Sequence, residues 1–223
     1  MVTSVLAKVS KESLSLVDKA YDILRSEIIE GRLSPGYPVL EQEIATKLDM
    51  SRTPIRAAID RLRNEGLVET IKRKGVFVKP LTVADVEHAY EATEGLEGML
   101  VKIAAEKADK AELKDLLEHV QAMKAAVQTN DWPQYDRQFH RRLIELAKNP
   151  IIEASLARVA TVVDRVRFMG VFVRVNTQEK STEEHLTTVQ AMVAGDGELA
   201  RQLHQQHWQR VRNDIVTLMK GLS

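Results

Sequence analysis

The sequence contains no cysteine, and this absence removes several kinds of site at once. Disulfide bonds, thiolate zinc sites and cysteine nucleophiles are all excluded. Any metal ion would therefore have to be held by histidine, aspartate or glutamate side chains. The chain has 6 histidines and 32 aspartates and glutamates among its 223 residues, so such ligands are available.

Long hydrophobic runs are also absent. No stretch of about 18 apolar residues occurs, and the N-terminus lacks the apolar core of a signal peptide. The hydrophobic fraction of 44% and the charged fraction of 29% are ordinary for a globular protein, and 223 residues fit one or two domains. We therefore expect a cytoplasmic protein with no membrane partner.

The chain has no net charge, but its charges are unevenly distributed. Residues 1–80 carry 14 basic and 11 acidic side chains, whereas residues 81–223 carry 18 and 21. Within residues 51–80 there are 8 basic side chains against 3 acidic ones. Such a positive stretch is typical of a surface that contacts phosphates, although a solvated basic surface has the same composition.

The N-terminal third has the pattern of a winged helix-turn-helix. The predicted elements are, in order, two helices over about 16–30 and 41–48, a third helix between Ser51 and Gly66, and two strands over 67–71 and 76–78. The hydroxyl of Ser51 can cap the third helix by accepting a bond from a backbone N–H. The basic turn at 72–75 joins the strands, and a loose arm precedes the first helix over about residues 1–13.

Everything after Pro80 has the pattern of helices, the first of them capped by Thr82. The predicted helices lie at about 82–107, 110–128, 131–148, 150–174, 179–195 and 196–221. Six helices of this length can enclose one core. The predicted fold is therefore mainly α, with an N-terminal winged helix-turn-helix domain at 1–80 and a C-terminal all-α six-helix bundle at 81–223.

The helix that starts after Ser51 is the candidate recognition helix. A helix fits the major groove of DNA, where its N-terminal side chains reach base edges. Arg52 and Arg56 lie one turn apart on one face, whereas Arg61 and Arg63 further along are as well explained as solvated charges. The expected DNA contacts, the wing included, are Ser51, Arg52, Thr53, Arg56, Lys72, Arg73, Lys74 and Gly75.

Four side chains of the C-terminal region form a candidate metal site. Asp136 and His140 are four residues apart on a predicted helix, which places both on one face. His185 and His207 come from two later helices. Three imidazoles and one carboxylate suit a divalent ion such as zinc, nickel or manganese. Because the last two side chains come from distant helices, satisfied core histidines or solvated histidines are the alternative interpretation.

Three short motifs occur in order in the N-terminal third: Ser-Arg-Thr-Pro-Ile-Arg-Ala-Ala at 51–58, Glu-Gly-Leu-Val at 65–68 and Gly-Val-Phe-Val at 75–78. Together they resemble the DNA-binding domain of the GntR family of transcriptional regulators. The family often has an arginine on the preceding helix, where this chain has Gln42. Since Gln42 can still hydrogen-bond adenine or a phosphate, we count it among the DNA contacts and expect a different operator preference.

The C-terminal region contains Tyr135-Asp136-Arg137-Gln138-Phe139-His140, then Glu184-His185, and a histidine eleven residues after Asp196. This pattern is similar to the ligand-binding (FCD-type) domain of the FadR branch of the family, and six helices are typical of its VanR-like subgroup. Many members bind metal through one aspartate and three histidines, which here implies Asp136, His140, His185 and His207. His204 is the rival for the last place, and His88 and His119 are expected at the surface.

The resemblance also implies an effector, usually a small organic acid close to the metal. An arginine that often holds the acid's carboxylate corresponds here to Thr93, a weaker and uncharged group. The residues that could take the place of that arginine are Arg137, Arg165, Arg167 and Arg174. The metal could instead be purely structural and tie three helices together.

Two classes of function follow. The first is a ligand-responsive repressor or activator, not an enzyme, that reads a pseudo-palindromic operator as a homodimer. The second is a metal-dependent hydrolase or lyase that uses the Asp/His cluster. Catalytic zinc usually keeps a position open for water, whereas all four candidates are expected as ligands, so the first class is favoured. An adaptor that binds only protein is disfavoured by the basic wing.

Overall fold

A computed structural model describes residues 15–168 and 177–222. The helices are α1 (Leu16–Ile29), α2 (Glu41–Leu48), α3 (Arg52–Asn64), α4 (Val83–Lys107), α5 (Lys110–Ala125), α6 (Trp132–Ala147), α7 (Pro150–Phe168), α8 (Gln178–Val193) and α9 (Gly197–Leu222), and the strands are β1 (Val68–Ile71) and β2 (Gly75–Val78). The chain divides into two compact units, Met1–Pro80 and Leu81–Ser223. The mainly α fold is confirmed. The predicted arm over 1–13, the end of the helix predicted over 150–174, and Arg174 lie outside the described residues.

The core of the N-terminal unit lies between α1 and α3, because both helices repeat apolar residues at spacings of three and four. These faces meet and exclude water, and Leu67 and Val78 of the hairpin close the core from the side. The fully or nearly fully buried residues from the two helices are Ala20, Leu24, Ile28, Ile55, Ala58, Ile59 and Leu62. This packing leaves the opposite face of α3 in solvent.

The start of α3 departs in one detail from the sequence prediction. Ser51 is the N-cap residue, as expected, but its side chain makes no capping hydrogen bond. A capping hydroxyl usually accepts from the N–H of the second or third helical residue. Here the third residue is Pro54, which has no N–H to donate. The helix therefore begins at the predicted place without the predicted bond.

The two strands form an antiparallel hairpin in which Val68 lies opposite Val78 and Ile71 lies opposite Gly75. Gly75 was expected in the turn and is instead the first residue of β2. The turn closes earlier because Arg73 adopts a left-handed conformation with φ of 66°. The exposed tip of the hairpin therefore consists of three basic residues, Lys72, Arg73 and Lys74.

The other edge of β2 is attached to the segment that leads into α2. Pro38 pairs with Phe77 in an isolated antiparallel bridge. The backbone N–H of Val39 donates to the carbonyl oxygen of Val76 at 2.8 Å. The strand thus has hydrogen-bonded neighbours on both sides, and the wing is connected to α2 as well as to α3.

Helix α4 is central to the C-terminal unit and packs against α6, α7, α8 and α9. Its start is fixed by a capping box between Thr82 and Asp85, so the predicted role of Thr82 is confirmed. The core of this unit, to which α5 contributes Leu116, includes Leu100, Val101, Leu116, Phe139, Leu143, Val189 and Met192. No described helix has both the length and the hydropathy that crossing a membrane requires.

His119 on α5 is buried, although the sequence placed it at the surface. It is one residue from Val120 and three from Leu116, so it lies beside the apolar face that α6 covers. Its Nε2 lies 2.9 Å from the carbonyl oxygen of Tyr135. His88 is exposed, as expected.

Tyr21 of α1 links the two main helices of the N-terminal unit, and the link should depend on pH. Its hydroxyl donates to the carboxylate of Glu65 at 2.8 Å, and Arg61 lies 3.9 Å from the centre of its ring. Burial, together with the bond to Glu65, raises the pKa of Tyr21 from 10.0 to about 12. The folded state therefore favours the neutral phenol, and this stabilisation is complete below pH 10.0 and lost as the pH rises towards about 12.

We expect the free energy of unfolding of the wild-type chain to fall more steeply over this pH interval than that of Tyr21→Phe. Denaturant titrations at both ends of the interval measure the difference. Equal losses in the two proteins would contradict the link, since phenylalanine has no proton to release.

Candidate nucleic-acid interface and metal centre

The N-terminal turn of α3 presents polar side chains to solvent. Arg52, Thr53 and Arg56 are exposed and line a shallow surface together with Ala57 and Asp60. The other residues predicted to contact DNA are also exposed, namely Gln42, Ser51, Lys72, Arg73, Lys74 and Gly75. The chemistry of this surface, cationic and rich in hydrogen-bond donors, suits phosphates and the acceptor groups of bases.

Arg61 and Arg63, the less secure candidates, have partners within the N-terminal unit. Arg61 donates to Asp18 of α1 at 2.7 Å. Arg63 donates to Asp60 one turn away at 2.5 Å. Both arginines of the second half of α3 are therefore paired with carboxylates of α1 or of α3 itself.

Glu41, the first residue of α2, contacts both arginines of the candidate recognition surface. Its Oε2 accepts from Nη2 of Arg52 at 3.0 Å and from Nη2 of Arg56 at 3.0 Å. Nε of Arg56 donates to Oε1 of the same carboxylate at 3.1 Å. Sequence reasoning missed Glu41, because 15 residues separate it from Arg56 and only the packing of α2 on α3 brings them together.

His140 on α6, His185 on α8 and His207 on α9 come together inside the C-terminal unit. One ring nitrogen of each lies within 4.8 Å of the other two, and all three side chains are buried. Ligand atoms about 2.1 Å from one zinc ion lie at most about 4.2 Å apart, so a small contraction would close the group on an ion. Three of the four residues proposed from the sequence thus form one group that could hold a metal.

Asp136 lies at the edge of this group. Its Oδ1 accepts from Nε2 of His185 at 3.2 Å and is 3.7 Å from Nε2 of His140. Its Oδ2 accepts from Nη2 of Arg167 at 3.1 Å. One carboxylate oxygen therefore points to the histidines while the other is oriented by an arginine of α7.

Two further carboxylates orient two of the histidines from outside. Nδ1 of His140 donates to Oε2 of Glu97 at 2.7 Å, and Nδ1 of His207 donates to Oε2 of Glu184 at 2.7 Å. Each bond leaves the opposite nitrogen, Nε2, to bind an ion. Carboxylates that support metal-binding histidines in this way fix the ring and increase its basicity.

His204, the rival of His207, belongs to a second buried group with Glu97 and His140. Its Nε2 donates to Oε2 of Glu97 at 2.9 Å, and Nε1 of Trp208 donates to the same oxygen at 3.0 Å. Glu97 thus already accepts three hydrogen bonds from protein groups. This arrangement favours His207 over His204 as a ligand and gives His204 a role in holding Glu97.

The protonation of the histidines is set by burial and by these carboxylates. Burial lowers the pKa of His207 to about 4 and lowers that of His185 well below its usual value, so both are neutral at pH 7. Burial alone would lower the pKa of His140 too, but the charges of Glu97 and Asp136 raise it to about 9. Neutral imidazoles are the form that binds metal ions, so His140 would have to release its Nε2 proton as an ion binds.

Three of the residues proposed to bind an effector, Thr93, Arg165 and Arg137, lie in different surroundings. Thr93 is buried on α4 and its hydroxyl donates to the carbonyl oxygen of Ala89 at 2.8 Å. Arg165 is buried, which lowers its pKa, while the charge of Asp85 opposes that shift. Arg137 is exposed and lines a pocket of about 210 Å³. The other residues of this pocket are Trp132, Pro133, Asp136, Arg167, Phe168 and Gln178.

Comparison with known proteins places both units in one family. The family described as "Bacterial regulatory proteins, gntR family" matches residues 16–78, and the FCD domain matches residues 88–210. The chain belongs to the GntR family. An HTH-type transcriptional regulator from the TAR-I ttuE-ttuC' intergenic region of Agrobacterium vitis is 39% identical over 64% of this chain and 86% of its own length. The transcriptional repressor RspR of Escherichia coli is 26% identical over 87% of this chain and 86% of its own length.

Solved structures show the same fold in other GntR regulators. E. coli McbR/YncC superposes with a TM-score of 0.74 at 19% identity, covering 93% of this chain and 100% of that one. A GntR regulator from Rhodococcus sp. RHA1 has a TM-score of 0.68 at 24% identity, covering 92% and 99%. The FCD domain agrees with the predicted FadR branch.

Membership of this family decides between the two classes of function. The family and these relatives are transcriptional regulators and not enzymes, so the hydrolase or lyase alternative is not supported. For the metal, the described residues contain His and Glu groups that could hold an ion. The residue missed most clearly by sequence reasoning is Glu184, which appears in the sequence only as the neighbour of His185 and contacts His207 in the structure.

Proposed function

We propose that this GntR regulator binds a pseudo-palindromic DNA operator as a homodimer and that an ion and an effector in its FCD domain control that binding. One observation carries the proposal: the same chain combines an exposed arginine surface on a winged helix-turn-helix with a buried three-histidine group in a separate unit. The arginine surface is suited to binding DNA, and the three-histidine group is suited to binding an ion and, with it, a small molecule. Two such subunits would present two recognition helices about one turn of DNA apart.

The buried group is chemically suited to a divalent ion. Its donors are three imidazole nitrogens and a nearby carboxylate oxygen, with two of the rings held by carboxylates. This set suits zinc, nickel or manganese. When bound, the ion would supply positive charge and coordination positions for oxygen atoms of an effector. In the proposed site Asp136, His140, His185 and His207 bind the ion, and Glu97 and Glu184 orient His140 and His207.

The pocket that contains Asp136 and Arg167 is the proposed entrance for the effector. Arg137 and Arg167 provide two guanidinium groups on its wall, and Trp132 and Phe168 provide apolar surface. A small organic acid matches this combination, since its carboxylate would pair with an arginine and its carbon skeleton would pack on the rings. Thr93 and Arg165 stay predictions for the same role.

Repression is the proposed direction of control. It is supported by RspR, a relative over most of the chain that is itself named as a repressor. A bound effector can change operator affinity only if it binds the two dimer geometries unequally.

Recovery of genomic fragments tests the proposal directly. Purified protein is mixed with sheared genomic DNA of its source in low salt, and bound fragments are sequenced and footprinted with and without metal and candidate acids. We expect protection of a pseudo-palindrome and a change in its affinity when a matching acid is added. Failure to protect any fragment would reject the DNA-binding function.

The supporting role of Glu184 gives a separate test of the metal centre. We expect Glu184→Gln to weaken metal binding by about 10–100-fold, as is usual when a supporting partner of a ligand is lost. Glu183→Gln is the matched control, because Glu183 is the exposed neighbour on the same helix. Isothermal titration with zinc measures both, and equal affinities in the two variants would contradict the role.

A further inference from the structure

Glu41 places a negative charge directly against the two arginines of the candidate recognition surface. Its carboxylate accepts three hydrogen bonds from Arg52 and Arg56, and the two bonds from Arg56 form a bidentate pair. The arginine side chains are 57% and 63% exposed. The carboxylate therefore controls the position of two guanidinium groups that otherwise extend into solvent.

Stability does not account for this arrangement. Ion pairs between exposed side chains contribute little to folding, because water screens them and long side chains lose conformational freedom. A carboxylate here also opposes phosphate binding, since it cancels part of the positive charge that attracts any DNA. Glu41 is ionised at neutral pH, and the bond to Arg56 lowers its pKa further below the ordinary value. The property that Glu41 can improve is therefore the sequence specificity with which Arg52 and Arg56 bind DNA.

The hydrogen bonds to Glu41 leave both arginines able to bind a base. A guanidinium group has five N–H donors. Arg56 uses one from Nε and one from Nη2, and Arg52 uses one from Nη2. Within the part of the chain that the structure describes, the Nη1 groups of both stay available for the acceptors of a guanine. An arginine already fixed at one edge loses less conformational freedom when its other edge binds a partner.

We infer that Glu41 is a positioning residue that sets the sequence specificity of DNA reading. It holds Arg52 and Arg56 in one arrangement, so bases that match this arrangement bind well and others do not. The same charge weakens binding to DNA of random sequence. The inference rests on the proposed function, because it takes α3 as the DNA-reading helix.

The test compares Glu41→Gln with Glu43→Gln, which removes the same charge from the same helix. Glu43 lines a different groove of the N-terminal unit, together with Leu33 and Lys47. Each protein is titrated with the genomic fragment that the wild type protects and with a scrambled duplex of equal length, over a series of salt concentrations. Thermal unfolding of each protein shows whether the fold is intact.

For Glu41→Gln we expect tighter binding to the scrambled duplex and a fall of about tenfold in the ratio of specific to random affinity, the order of one arginine–base pair. Glu43→Gln should raise both affinities equally and leave the ratio unchanged. As a second measurement, selection from a random DNA pool should give a less defined consensus for Glu41→Gln than for Glu43→Gln.

An unchanged ratio in folded Glu41→Gln would overturn the inference while leaving the proposed function intact. If the wild type itself prefers no sequence, the proposed function fails and the inference fails with it. The two failures are therefore distinguished by the wild-type titration alone.

Discussion

Replacing His185 with alanine should abolish the stabilisation of the protein by metal ions. His185 is fully buried and is the ring closest to Asp136, so its loss removes one donor from the centre of the group. Mutation of a residue that supports a metal ligand typically weakens metal binding by about 10–100-fold. Removal of the ligand itself should therefore weaken metal binding by more than about 100-fold. At a metal concentration of about 100 times Kd, the wild type gains about 2.7 kcal/mol, which corresponds to an increase of about 5–10 °C in Tm.

The measured quantity is the change in Tm on adding zinc, nickel or manganese to protein freed of metal by a chelator. Removing a buried ring lowers the metal-free Tm too, so the absolute value is not diagnostic. His88→Ala is the matched control, because His88 is exposed on α4 of the same unit. We expect His88→Ala to keep the whole metal-dependent increase. The same increase in His185→Ala would show that ions bind elsewhere.

Replacing Arg52 with alanine should cost about 1–3 kcal/mol of operator binding and relax the sequence preference at one base pair. Arg52 is the first residue of α3, where side chains reach furthest into a groove, and only one of its N–H groups is bound to Glu41. Binding to random DNA should fall much less, because that binding depends on total charge.

Arg63→Ala is the control for charge, since it removes the same charge from the same helix. Arg63 pairs with Asp60 and lies far from the first turn of α3. We expect its loss to change operator and random affinities by the same factor. Gel-shift titrations with single-base variants of the operator separate the two effects. If Arg52→Ala lowers both affinities equally, Arg52 contacts phosphate and not a base.

The helices could be predicted from the sequence because their signals are local. The apolar spacing predicted the limits of α2 that the structure shows, and Thr82 predicted the start of α4. The pair Asp136 and His140 was predictable for the same reason, since four residues on one helix always share a face. Ser51 shows the limit of such reasoning: its position was correct, but its hydroxyl makes no capping bond, and Pro54 removes one of the two N–H groups that could have donated it.

The carboxylates that support the three-histidine group could not be predicted, because their partners are distant in sequence. Glu97 lies 43 residues from His140 and 107 from His204, and no local pattern marks it. Glu184 adjoins His185 in sequence but serves His207 on another helix. Only the packing of α4, α6, α8 and α9 decides which carboxylate meets which ring.

The double attachment of β2 has a consequence for the operator. Because β2 is bonded both to β1 and to the segment before α2, the proposed recognition helix α3 and the basic hairpin tip are held at a fixed distance from each other. An extra base pair between the bases read by the helix and the phosphates met by the tip would rotate one set of contacts by roughly 35° relative to the other. We therefore expect operators of this regulator to tolerate changes in base identity more readily than insertions or deletions of base pairs within a half-site.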